Sequence, residues 1–116
     1  MNEYMLLYKG GDPDWMANTS AEQMAASMQK WGEWMADLKQ QGRLSSGGAP
    51  LDYSGKRLSA DGLVTEILAR KFKELVTGYS IIRASTMDEA LNMAKDCPIF
   101  QYPNIVVEVR QVMEVG

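Results

Sequence analysis

Met24, Met28, Trp31, Met35 and Leu38 follow one another at spacings of 4, 3, 4 and 3, the interval that keeps side chains on one face of an α-helix. Glu22, Gln29, Lys30, Glu33, Asp37 and Gln40 fill the other side. The pattern predicts an amphipathic helix over 20–41 with one wet face, roughly 30 Å long at about 1.5 Å per residue. Two overlapping capping boxes mark its start, Thr19 with Glu22 and Ser20 with Gln23. Gly42 ends it in the residue type that turns left-handed cheaply. Gly32, inside the helix, costs about 1 kcal/mol relative to alanine, which predicts that another backbone or a large ring passes close by.

The remaining segments read as strands and one shorter helix. Glu3 to Tyr8 is apolar on both parities, as a strand covered on both faces and central in a sheet would be. Lys9 to Asp14 carries turn residues throughout. Arg43 to Ser46 forms a short strand that Gly47, Gly48, Ala49 and Pro50 should break; the paired glycines either turn a corner or admit a ligand against the backbone. Gly55 to Ser59 and Leu63 to Leu68 flank Asp61-Gly62, the dipeptide of a type I′ turn, and predict a β-hairpin. Gly78 to Ala84 is a further strand. Thr86 with Glu89 opens a second helix with Met87, Ala90, Leu91 and Ala94 on its apolar face. Pro98 follows that helix, and Ile105 to Val109 is the last strand.

With the hairpin set aside as an insertion, the order is strand, helix, strand, strand, helix, strand. That is an α+β chain of the ferredoxin-like split βαβ kind, an antiparallel four-stranded sheet with both helices on one face. Its second face cannot be polar throughout, because the first strand is apolar on both parities. A second copy of the chain is the economical cover, which predicts a homodimer.

Composition narrows the chemistry. At 116 residues residues 1–116 make one domain with one core. The formal net charge is −3 with lysine and arginine scattered, so no basic stripe suited to nucleic acid is present. No tract approaches the roughly 18 apolar residues of a membrane span, and Met5 to Tyr8 is too short and lacks the basic flank of a signal peptide; membrane attachment is not expected, and the chain reads as cytoplasmic. The single Cys97 allows no internal disulfide. Histidine is absent, which removes Ser-His-Asp and Cys-His nucleophiles and histidine-ligated metals. No metal and no cofactor are expected, and acid–base work falls to carboxylates, lysines, tyrosines or water.

The order and spacing of several segments carry a resemblance. These are Glu3 to Tyr8, Trp31-Gly32-Glu33-Trp34-Met35 with Leu38, Gly42 and Gly47-Gly48, Gly78-Tyr79, Met87-Asp88-Glu89-Ala90 with Cys97-Pro98, and Val107 to Glu114. Together they resemble the YCII-related proteins, in the branch named for an Asp-Gly-Pro-Phe motif. The resemblance implies a dimeric α+β barrel, two ferredoxin-like sheets packed face to face. Where that motif should stand, the chain reads Glu66-Ile67-Leu68-Ala69-Arg70-Lys71-Phe72-Lys73-Glu74. Glu66 keeps the carboxylate of the motif's aspartate, Lys73 and Glu74 match, and the histidine implied as catalytic has no counterpart.

The candidate site residues follow. Glu66 as base with Tyr79 or Lys73 as acid would make a lyase or isomerase of small molecules; otherwise Glu66 is a strand glutamate paired with a lysine. Trp31 and Trp34 either pack the core or wall a pocket together with Gly47, Gly48, Glu66 and Tyr79. Lys56, Arg57, Arg70, Lys71 and Lys73 form either a solvated edge or an attraction for an anionic ligand. Cys97 reads as a small buried hydrophobe. The eroded motif and the missing histidine favour a non-catalytic homodimeric module that binds an anionic or aromatic small molecule or a partner domain.

Overall fold

The computed structural model describes residues 1–67 and 73–115. Its order is β1 (Asn2–Gly10), α1 (Ala21–Gln40), β2 (Leu44–Pro50), β3 (Lys56–Leu58), β4 (Val64–Glu66), β5 (Val76–Ala84), α2 (Met87–Lys95), a 3₁₀ turn (Pro98–Gln101) and β6 (Ile105–Gln111). Four strands form one sheet in the order β2-β5-β1-β6, with every neighbouring pair antiparallel. This is the ferredoxin-like arrangement, and β3 and β4 form a separate two-stranded sheet. β1 is central, as its double apolar parity requires. Tyr4, Leu6 and Tyr8 on β1 join Ile82 and Ala84 on β5, Leu38 on α1, and Ala90 and Ala94 on α2 in one buried core, so both helices cover the same face of the sheet.

Several details depart from the sequence reading. α1 is rolled toward Ser27 and Trp34, so that Ser27 and Leu38 are buried while Met28 is 61% exposed. The reason is a polar contact: Ser27 Oγ lies 2.7 Å from Tyr102 Oη, and satisfying that pair inside outweighs burying one flexible methionine. Ser20 with Gln23, not Thr19 with Glu22, forms the capping box; the Thr19 hydroxyl donates to the Trp15 carbonyl instead. Among the described residues no atom from elsewhere in the fold comes within 4 Å of a Cβ placed at Gly32, so none of their rings or backbones approaches it. On α2, Met87 and Leu91 are exposed, and Met93 packs beside Ala90 and Ala94.

β2 does not stop at the glycines. Its seven residues run on to Pro50, paired with Gly78 to Ile82 through two register shifts, each of which inserts an extra residue as a β-bulge does. The hairpin turn also differs from expectation. Gly62 N–H donates to the Ser59 carbonyl at 2.9 Å, and only Gly62 has positive φ, +88°. That is a type I turn closed by a left-handed glycine; a type I′ turn would need Asp61 left-handed as well.

Candidate functional site

The loop after β1 is fixed at its base. Gly10 and Gly11 take φ of +86° and +102°, and their N–H groups donate to the carbonyls of Leu75 and Asn104 at 3.0 and 3.2 Å. The chain therefore leaves the sheet beside the turn that precedes β6. Asp12 Oδ1 accepts the Asp14 N–H at 2.9 Å, and Trp15 N–H returns to the Asp12 carbonyl at 3.1 Å, the local closure that aspartate favours in turns. Trp15 then meets the Tyr102 ring edge-on, 4.8 Å between centroids. Tyr102 Oη also accepts from Trp31 Nε1 at 2.9 Å, and Trp31 lies tilted against Tyr8 and meets Trp34 edge-on. One phenol thus ties the loop, α1 and the 3₁₀ turn together. Trp31→Phe, which keeps a ring and removes the indole donor, should cost about 1–2 kcal/mol in urea unfolding; a change below a few tenths would show the bond to be idle.

Between this loop, the first half of α1 and the 3₁₀ turn lies a cleft of about 500 Å³, within the usual range for small-molecule sites. Asp12, Trp15, Asn18, Ser27, Lys30 and Gln101 are among its lining residues. The Gln101 side-chain Nε2 is buried and has no hydrogen-bond partner. Lys30 forms no ion pair among the described residues. Tyr53 stands next to the loop, its hydroxyl 3.5 Å from the Asp12 carbonyl; burial first, then the Asp12 carboxylate and Tyr102, push its pKa up.

A second polar feature runs through the core. Cys97 Sγ donates to Tyr8 Oη at 3.4 Å, Tyr8 donates to Ser80 Oγ at 2.7 Å, and Ser80 donates to the Gly47 carbonyl at 2.9 Å. Burial pushes the Tyr8 phenol and the Cys97 thiol up from their ordinary values, so both stay protonated near neutrality. The chain links α2's end to the bulged β2 and gives Cys97 the buried, unreactive setting of a structural thiol.

The residues singled out from the sequence are dispersed over the molecule. Glu66 lies on the exposed hairpin, 68% exposed, with Lys56 Nζ 3.6 Å away. Lys73 is exposed in the connection ahead of β5. Tyr79 sits across from Leu7 on the helix-free face of the sheet. No hydrogen bond or ion pair links these three to one another. Trp31 and Trp34 belong to the aromatic cluster against the core, Gly47 faces Met35 on α1, and Gly48 lies against the Tyr79 carbonyl. Residues 68–72, which include Arg70 and Lys71 and most of the motif slot, lie outside the described residues. No group of three histidine, cysteine, aspartate or glutamate side chains suited to a metal ion comes together among the described residues. Asp12, Trp15, Lys30 and Gln101 were not among the sequence candidates; the Asp12-Pro13-Asp14-Trp15 turn ahead of the helix was the one local signal for them.

None of the described helices is long and apolar enough to cross a membrane. No curated protein matches the chain. The profile of the YCII-related domain matches residues 3–115, nearly the whole length, and the chain belongs to that family.

Proposed function

We propose that the protein works as a homodimeric module that binds a small molecule without transforming it. The observation that carries the dimer is the helix-free face of the sheet. Register places Met5 and Leu7 of β1 beside Ile81 and Tyr79 of β5, with Val106 of β6, 61% exposed, next to Lys9. The Lys9–Glu108 ion pair at 3.2 Å and Arg110 stand on the same face and would form a polar rim. The body is only 18 Å thick, and its radius of gyration of 15.7 Å exceeds the roughly 13 Å expected for a compact chain of this length. An apolar sheet face in so flat a body is best covered by its own copy across a two-fold axis, where each strand row meets the same row of the partner. This is the packing that the resemblance to the Asp-Gly-Pro-Phe branch implies.

Several features favour binding over catalysis. Glu66 is solvated and paired with Lys56, away from the cleft-lining residues. Tyr8 and Cys97 are held protonated in the core. The cleft by contrast has a wall fixed by Tyr102, with Asp12 and Trp15 half-buried in its lining. Sedimentation equilibrium tests the dimer: wild type should sediment as a dimer at micromolar concentration, and Leu7→Glu, which places a charge at the centre of the proposed contact, should sediment as a monomer that still melts cooperatively. A monomeric wild type at that concentration would remove the proposal's basis.

A further inference from the structure

The two edges of the main sheet differ. β2, at one edge, is broken by two register shifts and ends at Pro50, irregularities that keep an edge from pairing with another chain. β6, at the other edge, is a regular seven-residue strand that follows β1 in a single register. Gly11 N–H donates to the Asn104 carbonyl and Val112 N–H to the Glu3 carbonyl, so the even-numbered residues from 104 to 112 turn their backbone groups toward β1. The N–H and carbonyl groups of Ile105, Val107, Val109 and Gln111 therefore point away from the sheet. No strand among the described residues pairs with them.

The side chains along β6 select the strand that fits this edge. If two copies meet there antiparallel about a two-fold axis at Val109, Glu108 stands opposite Arg110 of the second copy and Val106 opposite its Val112, and symmetry repeats both pairs. These are non-hydrogen-bonded positions, where facing side chains lie closest. Arg110 is exposed and in no ion pair among the described residues, and Val106 and Val112 are exposed apolar side chains. Neighbouring registers fail. An axis at Glu108 sets that carboxylate against its own copy, an axis at Arg110 does the same with the guanidinium, and facing like charges are destabilising. An axis at Val107 puts Glu108 against Val106 and leaves Arg110 opposite Asn104. We infer that β6 pairs antiparallel with β6 of a second copy about an axis at Val109, joining the two four-stranded sheets edge to edge.

This contact is separate from the face-to-face dimer proposed above, because it uses the backbone groups of the edge and leaves the apolar face free. Charges on an edge strand deter pairing when they meet their own sign; here opposite signs stand two residues apart, which a two-fold axis between them turns into attraction. Glu108 can serve both partners: its Oε2 takes Lys9 at 3.2 Å, and its Oε1 is in no hydrogen bond or ion pair among the described residues. A contact along one strand is small beside the roughly 1,600 Å² of a standard interface. It should therefore form well above the micromolar range, at about 100 μM or more.

Sedimentation of the Leu7→Glu chain, monomeric at micromolar concentration, isolates the edge from the face. That chain should become dimeric as its concentration approaches about 1 mM. Adding Arg110→Glu, or adding Glu108→Arg, should weaken the association about tenfold. An equimolar mixture of those two variants should recover it, because one chain then offers two anions and the other two cations at the matched positions. Residue-resolved amide hydrogen exchange on wild type needs no variant. The N–H groups of Val107, Val109 and Gln111 should exchange freely at about 10 μM and become protected at about 1 mM, while those of Val106, Glu108 and Arg110 stay protected at both. Outward amides still open at about 1 mM would overturn the inference. So would association, or amide protection, that Arg110→Glu leaves intact, and so would a mixture that fails to recover. The face dimer is read at micromolar concentration from wild type against Leu7→Glu, so either contact can fail without the other.

Discussion

Gly48→Ala should destabilise the fold by about 4 kcal/mol, combining the left-handed penalty of about 1–2 kcal/mol with the loss of several strand hydrogen bonds worth about 1 kcal/mol each. Gly48 has φ +74°, and a Cβ there would stand 1.6 Å from the Tyr79 carbonyl oxygen and 3.1 Å from Ser80 Cα. Those are backbone atoms of β5, which cannot swing aside as a side chain can. β2 would have to lift from β5, losing the Ala49–Tyr79 pairing and pulling the Gly47 carbonyl from the Ser80 hydroxyl. Gly47→Ala is the control. Its Cβ would meet only the Met35 thioether, at 3.1 and 3.4 Å, the flexible end of a side chain, so its effect should stay within about 1 kcal/mol. Urea unfolding of the two variants decides the matter: equal losses would mean that the bulged register of β2 is not what holds Gly48 in place.

That pair also shows what a linear pattern can carry. Gly47 and Gly48 look alike in sequence and suggest a break, yet one permits a bulge and the other permits backbone contact, because the difference lies in a strand about thirty residues away. Signals that act within a few residues were legible: α1, the Thr86 cap, the left-handed stop at Gly42, and the hairpin, although its turn type was not. The strand and helix order sufficed for the ferredoxin-like sheet. The roll of α1 was not legible, since Ser27 goes inward to reach Tyr102, 75 residues on, while hydrophobicity by itself sends Met28 there. The cleft was hidden for the same reason: it joins Asp12 and Lys30 to Gln101, and no period connects them. Glu66 drew notice through its place in the motif slot, but the hairpin that carries it pairs only within itself, Lys56 with Glu66 and Leu58 with Val64.

The core hydrogen-bond chain should make the protein labile in alkali, with Tyr8 as the main cause. Its phenol is pushed up first by burial and then by Cys97, from an ordinary value of 10.0 to far above it. Below the unfolded pKa the phenol is protonated in both states, and its contribution to stability is complete. Above that value the unfolded chain ionises while the folded one holds its proton, so stability falls at about 1.36 kcal/mol per pH unit. Between about pH 10 and pH 12 Tyr8 alone should therefore remove about 2.3 kcal/mol. Cys97, also raised by burial, adds its own loss from near its ordinary value of 9.0 upward. Tyr8→Phe isolates the phenol. At neutral pH the variant should be less stable by about 1–2 kcal/mol, because Ser80 loses a donor and the Cys97 thiol its acceptor. In alkali it lacks the tyrosine slope, so the two stability curves should cross near pH 11, about one unit above the unfolded pKa. Urea unfolding at a series of alkaline pH values reads the slopes directly. Parallel curves for wild type and Tyr8→Phe would show that the phenol titrates alike in both states, and the buried chain from Cys97 to Gly47 would then not be closed to water.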